Sequence, residues 1–142
     1  MEEKVLLVDD EKDFLEALGE RMTNRGMNVS TTTSAKDAVK KVEEESYDAI
    51  ILDLQMPEMD GIEALKAIKK INPDMQVILL TGHATVEKGI EAMKLGAMDL
   101  IEKPADIEAI AEKIKKAQAN KMILVEKKTE KKIRQIMSTK AW

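Results

Sequence analysis

The chain has 142 residues, enough for one packed domain and a short appendage, and its 44% hydrophobic and 35% charged residues exclude a disordered chain. Three aromatics (Phe14, Tyr47, Trp142) and no cysteine leave no stacking platform for single-stranded nucleic acid and exclude disulfides, thiolate metal sites and a cysteine nucleophile. Residues 1–120 carry 16 Lys+Arg against 25 Asp+Glu, a net −9, while residues 121–142 carry 7 against 2, a net +5, so an acidic body is joined to a basic tail.

Lys4 to Val8 is a short apolar run ending in acids, the pattern of a strand buried on both faces. From Asp10 to about Asn24, Phe14, Leu15, Leu18 and Met22 recur at helical spacing, and Gly26 supplies the stop. Met27 to Thr31 is a weaker strand, and Ser34 with Asp37 three residues on predicts a helix start. Within Ser30–Ser34 the hydroxyl-rich STTTS is read as a strand edge and cap rather than a phosphate loop. Asp48 to Leu54 is the second strongly apolar strand, again ending in an acid, followed by a loop punctuated by Pro57 and Gly61. Ile62, Leu65, Ile68 and Ile71 mark a helix closed by Asn72-Pro73. Gln76 to Thr81 is the third clear strand, residues 84–95 are helical, Met98 to Glu102 is a short strand, and a helix runs on from Asp106.

Five β-α repeats imply parallel crossovers and a doubly wound α/β fold with helices on both faces of the sheet. In such a sheet ligands bind beyond the carboxyl ends of the strands. Here those ends deliver Asp9 and Asp10, then Asp53, Thr81 and Lys103, which amounts to three carboxylates, a hydroxyl and an ammonium. Clustered carboxylates need a compensating cation. With no thiolate or imidazole to hand, a hard oxygen-seeking ion suits them, and Mg²⁺ with a phosphate oxygen fits best. Lys103 adds a point charge for phosphate, and the set can promote phosphoryl transfer by positioning and charge neutralisation.

The segments VLLVDDE (5–11), DAIILDLQMPEMDGIEAL (48–65), VILLTGHA (77–84) and GAMDLIEKP (96–104) resemble the receiver domain of bacterial response regulators over roughly residues 3–120. The resemblance implies a flavodoxin-like sandwich with a five-stranded sheet in order 2-1-3-4-5. It makes Asp53 the phosphoacceptor, served by a sensor histidine kinase or phosphotransfer protein. Asp9, Asp10, Asp53 and the backbone carbonyl of Gln55 would hold Mg²⁺, while Thr81 and Lys103 would contact the phosphoryl oxygens. Gly82 would leave the group accessible, Gln55 and His83 would tune its lifetime, and the bond before Pro104 would be cis. One departure is Leu100, the switch position, where the family usually carries Tyr or Phe.

These readings add up to a stand-alone phosphorelay regulator, with a receiver at 1–120 and a basic helical extension at 121–142. It phosphorylates and dephosphorylates only itself, and so is not an enzyme acting on a separate substrate. The tail has no clean heptad, but its apolar positions make the last helices a candidate homodimer contact. Direct nucleic-acid and membrane binding are not expected, and the acidic start without a long apolar stretch points to the cytoplasm. The alternatives are a non-phosphorylated interaction module, a flavodoxin-like cofactor binder, which would want more aromatics, and an aspartyl-phosphate phosphohydrolase, which would want an acid where Gln55 stands.

Overall fold

The computed structural model describes residues 2–56, 59–82 and 86–139, with the side chain of Val86 left aside. The elements alternate as β1 (Lys4–Val8), α1 (Lys12–Asn24), β2 (Asn28–Thr32), α2 (Ala35–Glu44), β3 (Ala49–Asp53), α3 (Gly61–Ile71), β4 (Val77–Thr81), α4 (Val86–Lys94), β5 (Asp99–Glu102) and α5 (Ile107–Thr139). Five parallel strands form one sheet in the order β2-β1-β3-β4-β5. This is the doubly wound sandwich that the motif resemblance implied. No helix among the described residues is long and apolar enough to cross a membrane.

The strength of each apolar run tracks its place in the sheet. β3 and β4 are buried at every position and β1 from Val5 onward, and these three occupy the middle. The weaker β2 and β5 are the edges. Because side chains alternate across a strand, β1 sends Leu6 and Val8 to one layer and Val5 and Leu7 to the other. The first layer is completed by Ala38 of α2 and Leu65 and Ile68 of α3, the second by Leu15 and Met22 of α1 and Ile110 and Ile114 of α5.

Caps set the entry to two helices that pack beside the rim. The Ser34 hydroxyl accepts from the Asp37 N–H at 3.2 Å, and Asp60 Oδ1 accepts from the Ile62 N–H at 3.0 Å. The second cap escapes the sequence reading, which took Gly61 as loop punctuation. Gly61 instead opens α3, and a Cβ there would lie 2.6 Å from Leu54 Cα, so only glycine lets α3 close against the end of β3. Gly26 and Gly96 end their helices at φ 87° and 100°.

α5 is one unbroken helix through position 120, the boundary expected from charge. Beyond it, Lys121 Nζ donates to Ser46 Oγ at 3.0 Å and to the Tyr47 carbonyl at 3.2 Å, and lies 3.5 Å from Asp48. Asn120 donates to Gln76, and Lys128 pairs with Asp74. Residues 120–128 therefore lean on the loops that enter β3 and β4, at the end of the sheet away from the acids.

Candidate functional site

The carboxyl ends of four strands meet at one rim because parallel strands all point the same way. Asp9 and Asp10 follow β1, Asp53 ends β3, Thr81 ends β4, and Lys103 follows β5 directly. The Lys103 N–H donates to the Thr81 carbonyl at 2.8 Å, which carries the chain from the ladder into the rim. The Lys103–Pro104 bond is cis.

Asp9, Asp53 and Thr81 are buried at 0%, 4% and 1% exposure, unusual for two carboxylates. One oxygen from each of Asp9, Asp10 and Asp53 lies within 4.8 Å of the others. Asp9 Oδ1 accepts from the Glu11 N–H at 2.9 Å, and Asp53 Oδ1 accepts from the Gln55 N–H at 3.1 Å. The Lys103 ammonium stands 2.7 Å from Asp9 Oδ2, 3.8 Å from Asp53 Oδ2 and 3.9 Å from Glu11 Oε1. Asp9 Oδ2 is fully buried and has that ammonium as its charge partner. The ammonium also sits 4.4 Å from the centroid of the Phe14 ring.

Burial pushes the Asp53 carboxyl up to about 6. The Gln55 N–H opposes the shift, the Asp9 carboxylate adds to it, Lys103 resists it, and Asp10 adds a little more. Burial alone would lower the Lys103 ammonium, but Asp9 and Asp53, with Glu11 behind them, outweigh it and hold the group above its usual range. One lysine therefore does not neutralise the rim. Three convergent carboxylates facing one ammonium, with no thiolate in the chain and no imidazole among the described residues, fit a hard divalent cation such as Mg²⁺.

The remaining residues singled out by sequence fall in different places. An added Cβ at Gly82 would have no described atom within 4 Å outside its chain neighbours. Leu100 is half-buried on β5, and its Cδ2 lies 3.0 Å from where a Cβ on Gly89 would stand. His83, Pro57, Trp142 and the expected start of the fourth helix at 84 lie outside the described residues. The sequence reading passes over Phe14 and Glu11 as partners of Lys103, and over Met59, Asp60 and Lys88, which line a cleft of about 600 Å³ together with Asp10 and Gln55. Lys88 lies 3.8 Å from Asp60 across that cleft, bridging α4 to the cap of α3. Phe14 had one legible signal, as the single phenylalanine one turn after the paired acids. Lys88 had none.

The model of the response regulator receiver domain matches residues 5–115. The transcriptional regulatory protein ZraR of Salmonella typhimurium is 37% identical over 116 residues, covering 82% of this chain and 26% of the relative. The chain thus spans about a quarter of the length of that relative. A receiver domain protein from Clostridium thermocellum superposes with a TM-score of 0.82 at 35% identity, over 86% of this chain and 98% of the other. A response regulator from Burkholderia pseudomallei, solved with a phosphorylated aspartic acid, a calcium ion and citrate, superposes with a TM-score of 0.75 at 25% identity, over 92% and 75% of the two chains.

Proposed function

The chain belongs to the response regulator receiver domain family of two-component signalling, and from that premise we propose that it accepts a phosphoryl group on Asp53 and passes the signal to a partner protein by a change of shape. The observation that carries this reading is the half-compensated rim: a buried Asp53 held up to about 6 beside two further carboxylates and one ammonium. A receiver is served by a histidine kinase. In the transfer, the N–P bond of a phosphohistidine breaks as an oxygen–phosphorus bond forms to the Asp53 carboxylate.

The Gln55 N–H holds one Asp53 oxygen and fixes the plane of the carboxylate before the donor arrives. Lys103, packed on the Phe14 ring and drawn toward Asp9, meets the negative charge of the incoming phosphoryl oxygens, and the Thr81 hydroxyl donates to one of them. Asp9, Asp10, Asp53 and the Gln55 carbonyl are the residues that would hold Mg²⁺, which when bound supplies charge neutralisation to the same oxygens. Gly82 carries no side chain to cover the acyl phosphate, which leaves the group accessible to water. The protein acts only on itself, so it is a switch rather than an enzyme with a separate substrate, and it works in the cytoplasm.

The test is intact-protein mass after incubation with acetyl phosphate and Mg²⁺, run beside Asp53→Asn. We expect a gain of one phosphoryl mass that disappears with the substitution and with chelation. A folded wild-type chain that gains nothing from acetyl phosphate or from phosphohistidine donors would make this an interaction module instead.

A further inference from the structure

The single phenylalanine of the chain stands where packing alone does not ask for a ring. Phe14 lies in the first turn of α1, four residues after Asp10. Leu15, Leu18 and Met22 bury the core face of that helix, whereas Phe14 is only partly buried against the same layer. Phe14, Ala17 and Arg21 fall at helical spacing on the neighbouring strip, which lines a cleft of about 430 Å³ together with Lys103 and Pro104. An aliphatic side chain would fill the same place. What a ring adds is a negative face, and the Lys103 ammonium sits 4.4 Å from its centroid.

We propose that Phe14 is a positioning residue for phosphoryl transfer, its ring holding the Lys103 ammonium at the rim where the transferred group arrives; this rests on Asp53 being the acceptor. The carboxylates alone do not fix that position. Asp9 at 2.7 Å, Asp53 at 3.8 Å and Glu11 at 3.9 Å all draw on the ammonium, and any cation bound among them competes with the lysine for the same oxygens. A neutral ring keeps its attraction whatever charge the rim carries. The ammonium belongs to a side chain only 16% exposed, and an attraction between a cation and a ring face is worth more there than in bulk water. Phe14 acts through Lys103 alone and is not itself a catalytic residue.

Because the chain has one phenylalanine, incorporation of a fluorinated analogue alters position 14 and no other. The experiment compares the rate of phosphorylation by acetyl phosphate with Mg²⁺, read from intact mass, for the wild type and for chains carrying mono-, di- and trifluorinated phenylalanine, which weaken the ring's negative face in steps while nearly keeping its shape. We expect the rate to fall at each step, by about two- to tenfold over the series, and Phe14→Leu to fall at least as far. In Lys103→Met the residual rate should be the same for all four rings, an independence that a packing role would not produce. In the metal-free protein the single ¹⁹F resonance of the monofluorinated chain should move on Lys103→Met, which reports the contact without any phosphorylation. A rate flat across the series, a slope that persists in Lys103→Met, or a resonance indifferent to Lys103 would each overturn the proposal while leaving Asp53 as the acceptor. A wild type that takes no phosphoryl group would overturn the acceptor reading and the proposal with it.

Discussion

The two ends of the sheet use the same chemistry to opposite effect. At the rim, Lys103 reaches Asp9, Asp53 and Glu11, and at the base, Lys121 reaches Asp48 together with the Ser46 hydroxyl and the Tyr47 carbonyl. The basal lysine faces one carboxylate and two neutral acceptors. The rim lysine faces an excess of carboxylates, and one of them is pushed up to about 6. The lesson concerns balance rather than the number of ion pairs. A satisfied lysine fastens a helix to its domain, whereas an under-compensated cluster stores an electrostatic demand that only a cation or a proton can meet.

The sharpest way to break the contrast is to remove each lysine. Lys103→Met leaves Asp9 buried with no positive partner and should cost about 3 kcal/mol at neutral pH, read from urea unfolding. The loss should shrink below about pH 6 as Asp53 takes up its proton. Asp53→Asn acts in the other direction. A carboxyl whose folded value lies above its unfolded one favours the fold below the unfolded value and loses that contribution as pH rises through about 6. The metal-free wild type should therefore be less stable than Asp53→Asn at pH 7, by on the order of 2 kcal/mol, and the two should converge below pH 4, as followed by thermal unfolding across pH. Mg²⁺ should narrow the gap at pH 7 by stabilising only the wild type, and a gap indifferent to Mg²⁺ would argue against the metal assignment.

At the base the effects are smaller. Lys121→Ala should cost about 1 kcal/mol through its neutral hydrogen bonds, with no change in phosphorylation by acetyl phosphate. Lys128→Ala removes an exposed pair with Asp74 and should leave the unfolding midpoint within scatter, its effect confined to faster amide exchange in residues 120–128. If Lys121→Ala instead impaired phosphorylation as Lys103→Met does, the two ends would be coupled through α5 and the comparison would fail.

Much of this was legible from single runs of sequence. Three uninterrupted apolar strands announced the middle of the sheet, and the polar residues closing them named the rim, since parallel strands bring their ends together whatever lies between. The cap at Asp60 was hidden because its signal sits inside a loop already marked by Gly61. Phe14 beneath Lys103 was read as one more apolar position of α1, since helical periodicity reports which face is buried and not what lies against it. The pairing of Leu100 with the bare backbone at Gly89 joins β5 to α4, a match of shape that no motif records.

Sequence by itself determined the order of the elements, the acids and the lysine at the strand ends, and the change of sign between body and tail. Each of these depends on local pattern or on composition. Tertiary structure alone decided that Asp53 would be held up to about 6, that Lys103 would lean toward Asp9 over an aromatic ring, and that α5 would be fastened at Lys121 while Ile133, Ile136 and Met137 stayed exposed. These depend on burial and on the distance between residues far apart in the chain, and electrostatic energy is set by those two quantities.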